Sequence, residues 1–151
     1  MLAYIAGPLF NEGERWFAER ICALAEAAGF ETFLPHRDTP AEFVHPRNPA
    51  AIFRSDLQAL ERADLIVANL NGIISDDGTA WELGYAYARG KHLVGIYTDW
   101  RLTFPEQVTN LMLECSLNRL TRSLAELERY LQETGREADC ETGSDIDCER
   151  G

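Results

Sequence analysis

The sequence predicts a single-domain α/β protein, a three-layer sandwich in which a five-stranded parallel sheet of the flavodoxin/Rossmann-like kind carries helices on both faces. Three observations lead there. The chain has 151 residues, the size of one ordinary domain. Its 46% hydrophobic and 26% charged residues give a soluble chain with enough apolar surface to bury a core without disulfides or metal. Short apolar runs alternate with stretches of helical period, and strands separated by helices pair in parallel through right-handed crossovers.

The elements follow in order. Residues 2–6 form a short apolar run ended by Gly7-Pro8, a buried first strand. Trp16, Phe17, Arg20, Ile21, Leu24 and Ala28 then recur at helical spacing, with Gly29 as the stop. Residues 30–34 make the second strand, closed by Pro35 and followed by a polar, proline-containing loop to Asn48. Asn48-Pro49 combines a capping residue with a first-turn proline and opens a helix to about Ala63. Residues 65–70 form a third strand, 79–90 a third helix and 93–97 a fourth strand. A helix over 106–113, a short strand over 117–120 and a helix over 123–133 complete a domain of residues 1–132.

Charge and cysteine content limit the partners. The net charge is −11, which argues against nucleic acid or an anionic membrane surface. Residues 133–151 carry seven acids, two arginines and few apolar groups, so they read as an acidic, disordered tail. No apolar run is long enough to span a bilayer and no basic-then-apolar leader opens the chain, which points to the cytoplasm. Cys22 and Cys115 read as small core residues, and the histidines at 36, 45 and 92 are scattered, so neither a metal nor another cofactor is expected.

In a sheet of this kind ligands bind beyond the C-terminal strand ends, where strand order reverses. The loops there hold the least ordinary residues. Thr79-Ala80-Trp81-Glu82 fits a capping box, in which Glu82 serves only the helix start. Glu82 is equally a carboxylate in a first helical turn, where the helix dipole favours the ionised form that a nucleophile needs. Asp76 and Asp77 lie just ahead of it, and neighbouring acids can divide the roles of nucleophile and proton donor. Asp56 falls on an apolar stripe with Ile52 and Leu60, so it is either paired with a base such as Arg54 or turned into a site. In Tyr4-Ile5-Ala6-Gly7-Pro8-Leu9-Phe10, Gly7 admits close backbone approach and Phe10 offers a stacking face. The loop has neither the glycines of a dinucleotide fingerprint nor the lysine of a P-loop.

Together these stretches resemble the nucleoside 2-deoxyribosyltransferase family, over roughly residues 2–120. The resemblance rests on Tyr4 to Phe10, on Ser55-Asp56 and Ala63-Asp64-Leu65-Ile66-Val67-Ala68, on Asp76-Asp77-Gly78-Thr79-Ala80-Trp81-Glu82-Leu83-Gly84-Tyr85-Ala86, and on Asn110-Leu111-Met112. It implies that Glu82 attacks the anomeric carbon of a 2′-deoxynucleoside and that a second base, or water, takes the sugar with retention, by the logic of retaining glycosidases. It makes Asp76 the proton donor to the leaving base, Asp56 an acid that orients the sugar or the nucleophile, and Tyr4 the holder of Glu82. Gly7, Phe10 and Gly78 would line the substrate, and His36 or Arg37 would stand where family members place a base-contacting amide. Asn110 and Met112 would close a neighbouring subunit's site, implying a homo-oligomer, a dimer or a multiple of dimers. Two other readings share the fold: a hydrolase of nucleosides or deoxynucleoside 5′-monophosphates, for which the first loop lacks the usual Ser and Arg, and a noncatalytic nucleoside-binding module.

Overall fold

The computed structural model describes residues 1–101 and 108–143, the last stretch from 138 by backbone alone. Five parallel strands form one sheet in the order β2-β1-β3-β4-β5, with β1 at Leu2–Ala6, β2 at Glu31–Phe33, β3 at Leu65–Asn69, β4 at His92–Ile96 and β5 at Arg119–Thr121. Strand order reverses between β1 and β3, so the predicted ligand end lies beyond Ala6 and Asn69. The three-layer α/β sandwich predicted from the alternating pattern is the fold observed.

Alternation along each strand sorts the core into two layers. Ala3 and Ile5 of β1 join Leu65 and Val67 of β3 against α1 (Glu12–Ala27) and α7 (Leu124–Gly143). Tyr4 and Ala6 join Ile66 and Ala68 on the opposite face, against α4 (Pro49–Arg62) and α5 (Asp77–Ala88). β3 is buried at every position, as a central parallel strand must be. α1 opens on a capping box between Asn11 and Glu14, and ends before Gly29, whose φ of 91° lies where a side chain would be strained. Asp64 receives the Leu2 N–H at 2.9 Å, a turn residue as read.

Several local expectations are corrected. The segment after β2 is not a plain loop but two single helical turns, α2 (Pro35–Asp38) and α3 (Ala41–Val44). The helix predicted over 106–113 is α6 at Leu111–Glu114, with residues 106 and 107 outside the described residues. Only Leu113 of that turn faces the core, which leaves Cys115 exposed rather than buried, while Cys22 is in the core. The last helix runs on through Gly143, past residue 132, and residues 144–151 lie outside the described residues. At Gly135 it lies directly against the body: a Cβ there would stand 2.4 Å from the Ala28 carbonyl at the end of α1. Among the described residues, no helix is long and apolar enough to cross a membrane.

Candidate active site

β1 delivers Tyr4 to the α4/α5 layer, fully buried and stacked on Phe33 with ring centroids 5.6 Å apart. Its hydroxyl donates to Glu82 Oε1 at 2.6 Å. That contact spans 78 residues of chain and joins a central strand to the helix that follows β3.

The start of α5 settles which residue caps it. Asp76 Oδ2 accepts from Thr79 N at 2.9 Å and from Thr79 Oγ1 at 3.0 Å, so the cap is Asp76 and the helix begins at Asp77. The box between Thr79 and Glu82 does not form. Glu82 consequently falls in the second turn, beyond the strongest reach of the helix dipole, and its carboxylate is committed to no cap. Gly78 sits against Asp76, where a Cβ would stand 3.2 Å from Oδ2.

On α4, Asn48 caps Ala51 N at 3.1 Å with Pro49 in the first turn. Asp56 faces inward from the apolar stripe, and among the described residues no base pairs with it. Its partner is Thr39, whose hydroxyl donates to Asp56 Oδ1 at 3.0 Å from the bend between α2 and α3. Tyr4, Asp56, Gly78 and Glu82 line one cavity of about 320 Å³ together with Phe53, Leu57, Leu60 and Trp81.

The electrostatics follow from three acids sharing one end of the sheet. Burial pushes the Glu82 carboxyl up to about 7; the Tyr4 hydrogen bond opposes this, and the charges of Asp56 and Asp76 add to it. Burial likewise raises Asp56, against the Thr39 hydrogen bond. Tyr4 is held far above the ordinary phenol range by burial first and then by Glu82, so it stays a donor throughout the working pH range.

The remaining predicted residues lie elsewhere in the protomer. Gly7 meets protein rather than an open site, since a Cβ there would stand 3.0 Å from Asn69 Cβ. Phe10 is 80% exposed, does not line the cavity, and gives its N–H to Glu14 Oε2. His36 pairs with Glu19 of α1 at 3.2 Å and does not line it either. Asn110 caps α6 through Met112 N, and both residues line a separate cavity of about 620 Å³ beside Ile74, Gly84 and Tyr87 of the α5 region. Sequence reasoning missed Thr39, Phe53 and Trp81. The available signals were that Phe53 precedes Asp56 by one helical turn and that Trp81 adjoins Glu82.

The site is thus a part-buried glutamate held by a tyrosine, with two further carboxylates at the same end of a doubly wound sheet. The chain belongs to the nucleoside 2-deoxyribosyltransferase family, whose model matches residues 3–120. Among solved structures it is similar to a 2-deoxyribosyltransferase from Bacillus psychrosaccharolyticus, at 25% identity over 85% of this chain and 90% of that one, with a TM-score of 0.72. It is also similar to a 2-desoxiribosyltransferase from Leishmania mexicana, at 25% identity over 87% and 97% of the two chains and a TM-score of 0.66. The fold is shared, at 22% identity, 91% and 99% coverage and a TM-score of 0.59, with a CMP N-glycosidase from Clostridium botulinum. No curated protein matches the chain significantly in direct sequence comparison. Family and fold together place the protein among enzymes of the deoxyribosyltransferase and N-glycosidase class.

Proposed function

We propose that the protein transfers 2-deoxyribose between nucleobases through a covalent intermediate on Glu82. The observation that carries this reading is the Tyr4–Glu82 hydrogen bond at 2.6 Å inside a cavity that also holds Asp56. A Glu82 oxygen attacks C1′, the C1′–N bond breaks with its electron pair passing to the base, and a neutral carboxyl protonates the departing nitrogen. An incoming base nitrogen then attacks C1′ from the side the first base left, expels the Glu82 carboxylate and returns the proton, giving net retention. Tyr4 holds Glu82 in line and stabilises it as a carboxylate each time it is regenerated.

Asp56 and Asp76 divide the other two roles. Asp76 Oδ2 is committed to Thr79, whereas Asp56 lines the cavity beside Glu82. This gives the proton-donor role to Asp56 and leaves Asp76 to position α5 and the sugar side of the site, the reverse of the assignment carried over by resemblance. The scheme needs no cofactor.

A second copy completes the site in this reading. Ile74 is 86% exposed, Met112, Tyr87 and Leu111 are also exposed, and Ile74, Tyr87 and Met112 line the cavity beside Gly84 of α5. Gly84 presents no side chain there and has nothing within 4 Å of a built Cβ. α5 is apolar on nearly every face, the signature of a helix covered on both sides. The account expects a dimer or a multiple of it by light scattering, with Met112→Glu shifting the protein toward monomer and lowering activity. A wild-type monomer with full activity would contradict it.

The direct test is chromatography of the protein incubated with 2′-deoxyinosine or thymidine, with and without free adenine. Deoxyadenosine that forms only when adenine is present is the expected result. Release of free base from a deoxynucleoside or its 5′-monophosphate, with no exchange, would make the protein a hydrolase instead.

A further inference from the structure

Phe10, the aromatic side chain that the first loop offers for stacking, points away from the cavity that holds Glu82. Besides the buried Tyr4, two aromatic side chains line that cavity. Phe53 is 51% exposed and Trp81 49% exposed, and their rings meet edge-on with centroids 5.7 Å apart. Half-exposed aromatics at a cavity wall, rather than in the core, are placed to gain area when a planar ligand arrives. Resting on the proposed deoxyribosyl chemistry, we infer that Phe53 and Trp81 form the platform on which the nucleobase stacks, and that they set a preference for purines over pyrimidines.

Position supports this in two ways. A proton donor to the leaving nitrogen must stand beside the base. Phe53 precedes Asp56 by three residues on α4, which puts both on one helix face. Trp81 adjoins Glu82 on α5, so the platform flanks the nucleophile from the other helix. The base is thereby confined between the acid that protonates it and the glutamate that displaces it.

Rigidity supports it as well. Tyr85 stacks on Trp81 at 5.4 Å with an interplanar angle of 10°. Tyr85 donates to Glu61 Oε1 at 2.6 Å, and the Arg89 guanidinium lies 5.2 Å above its ring. Arg89, Tyr85 and Trp81 therefore form one propped stack with Phe53 set edge-on against Trp81, which lowers the cost of ordering when a base binds. Leu57 and Leu60 continue the wall, and among the described residues that line it Asp56 and Glu82 carry the charge. Recognition by faces rather than edges rewards ring area, and a purine offers two fused rings where a pyrimidine offers one.

The test uses the full chain and free bases as probes. Adenine and thymine are titrated calorimetrically into the wild type, Trp81→Ala, Trp81→Phe and Phe53→Ala, with melting curves and light scattering on each. The wild type should bind adenine more tightly than thymine. Trp81→Ala and Phe53→Ala should each weaken adenine about ten-fold and thymine less, while Trp81→Phe keeps most of the affinity. Unchanged adenine binding in both alanine variants, a preference for thymine, or no base binding by the wild type would overturn the proposal. So would alanine variants that lose the oligomer yet bind adenine as before, since the pair would then belong to a subunit contact. Turnover is read separately. Aromatic-dependent binding without turnover would retain the platform and reject the transferase chemistry, and turnover with unaltered base preference in the variants would do the reverse.

Discussion

Glu82→Ala should leave base exchange at or below about 10⁻⁴ of the wild-type rate, the scale of loss seen when a covalent nucleophile is removed. The protein should remain folded, because Asp76 and not Glu82 caps α5. Its stability should change with pH in a diagnostic direction. Glu82 is held near 7 against an ordinary value near 4.5, so the folded chain keeps this proton longer than the unfolded one does. Its contribution is then fully present below about pH 4.5 and is lost as pH rises through about 7. Glu82→Ala removes that loss, so its melting temperature relative to wild type should be higher at pH 8 than at pH 5. The difference should be on the order of 2 kcal/mol, reduced by whatever solvent enters the cavity. Thermal melts at the two pH values check this. A cap residue would give a pH-independent drop in stability and leave the activity of the folded fraction unchanged.

Tyr4→Phe should lower kcat/KM about 10- to 100-fold near neutral pH, the range expected when one hydrogen bond to a charged group is lost. The ring keeps its place on Phe33, so the loss is chemical rather than one of packing. The wild-type profile should rise on its acid side with a midpoint near 7, where Glu82 ionises. The Tyr4 hydrogen bond lowers the Glu82 value, so its removal must move that limb to higher pH. Part of the activity should consequently return above pH 8. A pH profile of kcat/KM for both proteins decides the point, and a uniform loss with no displacement of the limb would rule out a role for Tyr4 in ionising Glu82.

The sheet and its order of elements were legible because buried parallel strands are short apolar runs, and Leu65 to Leu70 is such a run, preceded by a helix of clear period. Asp56 was legible as an anomaly because a charge on an apolar stripe must be satisfied, although its partner was not. Thr39 lies 17 residues away on a bend between single helical turns, and turns of four residues are too short to show a period. The cap of α5 was misread for a different reason. Asp76 and Thr79 are both good capping residues three positions apart, and only the tertiary placement of Glu82 against Tyr4 separates the alternatives. Cys115 ends a single turn with one inward position, which Leu113 occupies. Past residue 132, α7 packs against the end of α1 at Gly135, a close approach to the Ala28 carbonyl that local composition does not encode. Phe53 and Trp81 were hidden because at helical spacing they resemble ordinary core residues. Their half exposure within the cavity marks them as available to a ligand.

The central claim is that a deoxyribosyl group passes through Glu82. The most direct measurement is intact-mass spectrometry of the protein, acid-quenched after mixing with a 2′-deoxynucleoside in the absence of an acceptor base and followed by peptide mapping. The account predicts a mass gain of one deoxyribosyl residue on the peptide that contains Glu82, lost when adenine is added before the quench and absent from Glu82→Ala. Base exchange that proceeds at full rate with no such adduct, or an adduct on another residue, would contradict it.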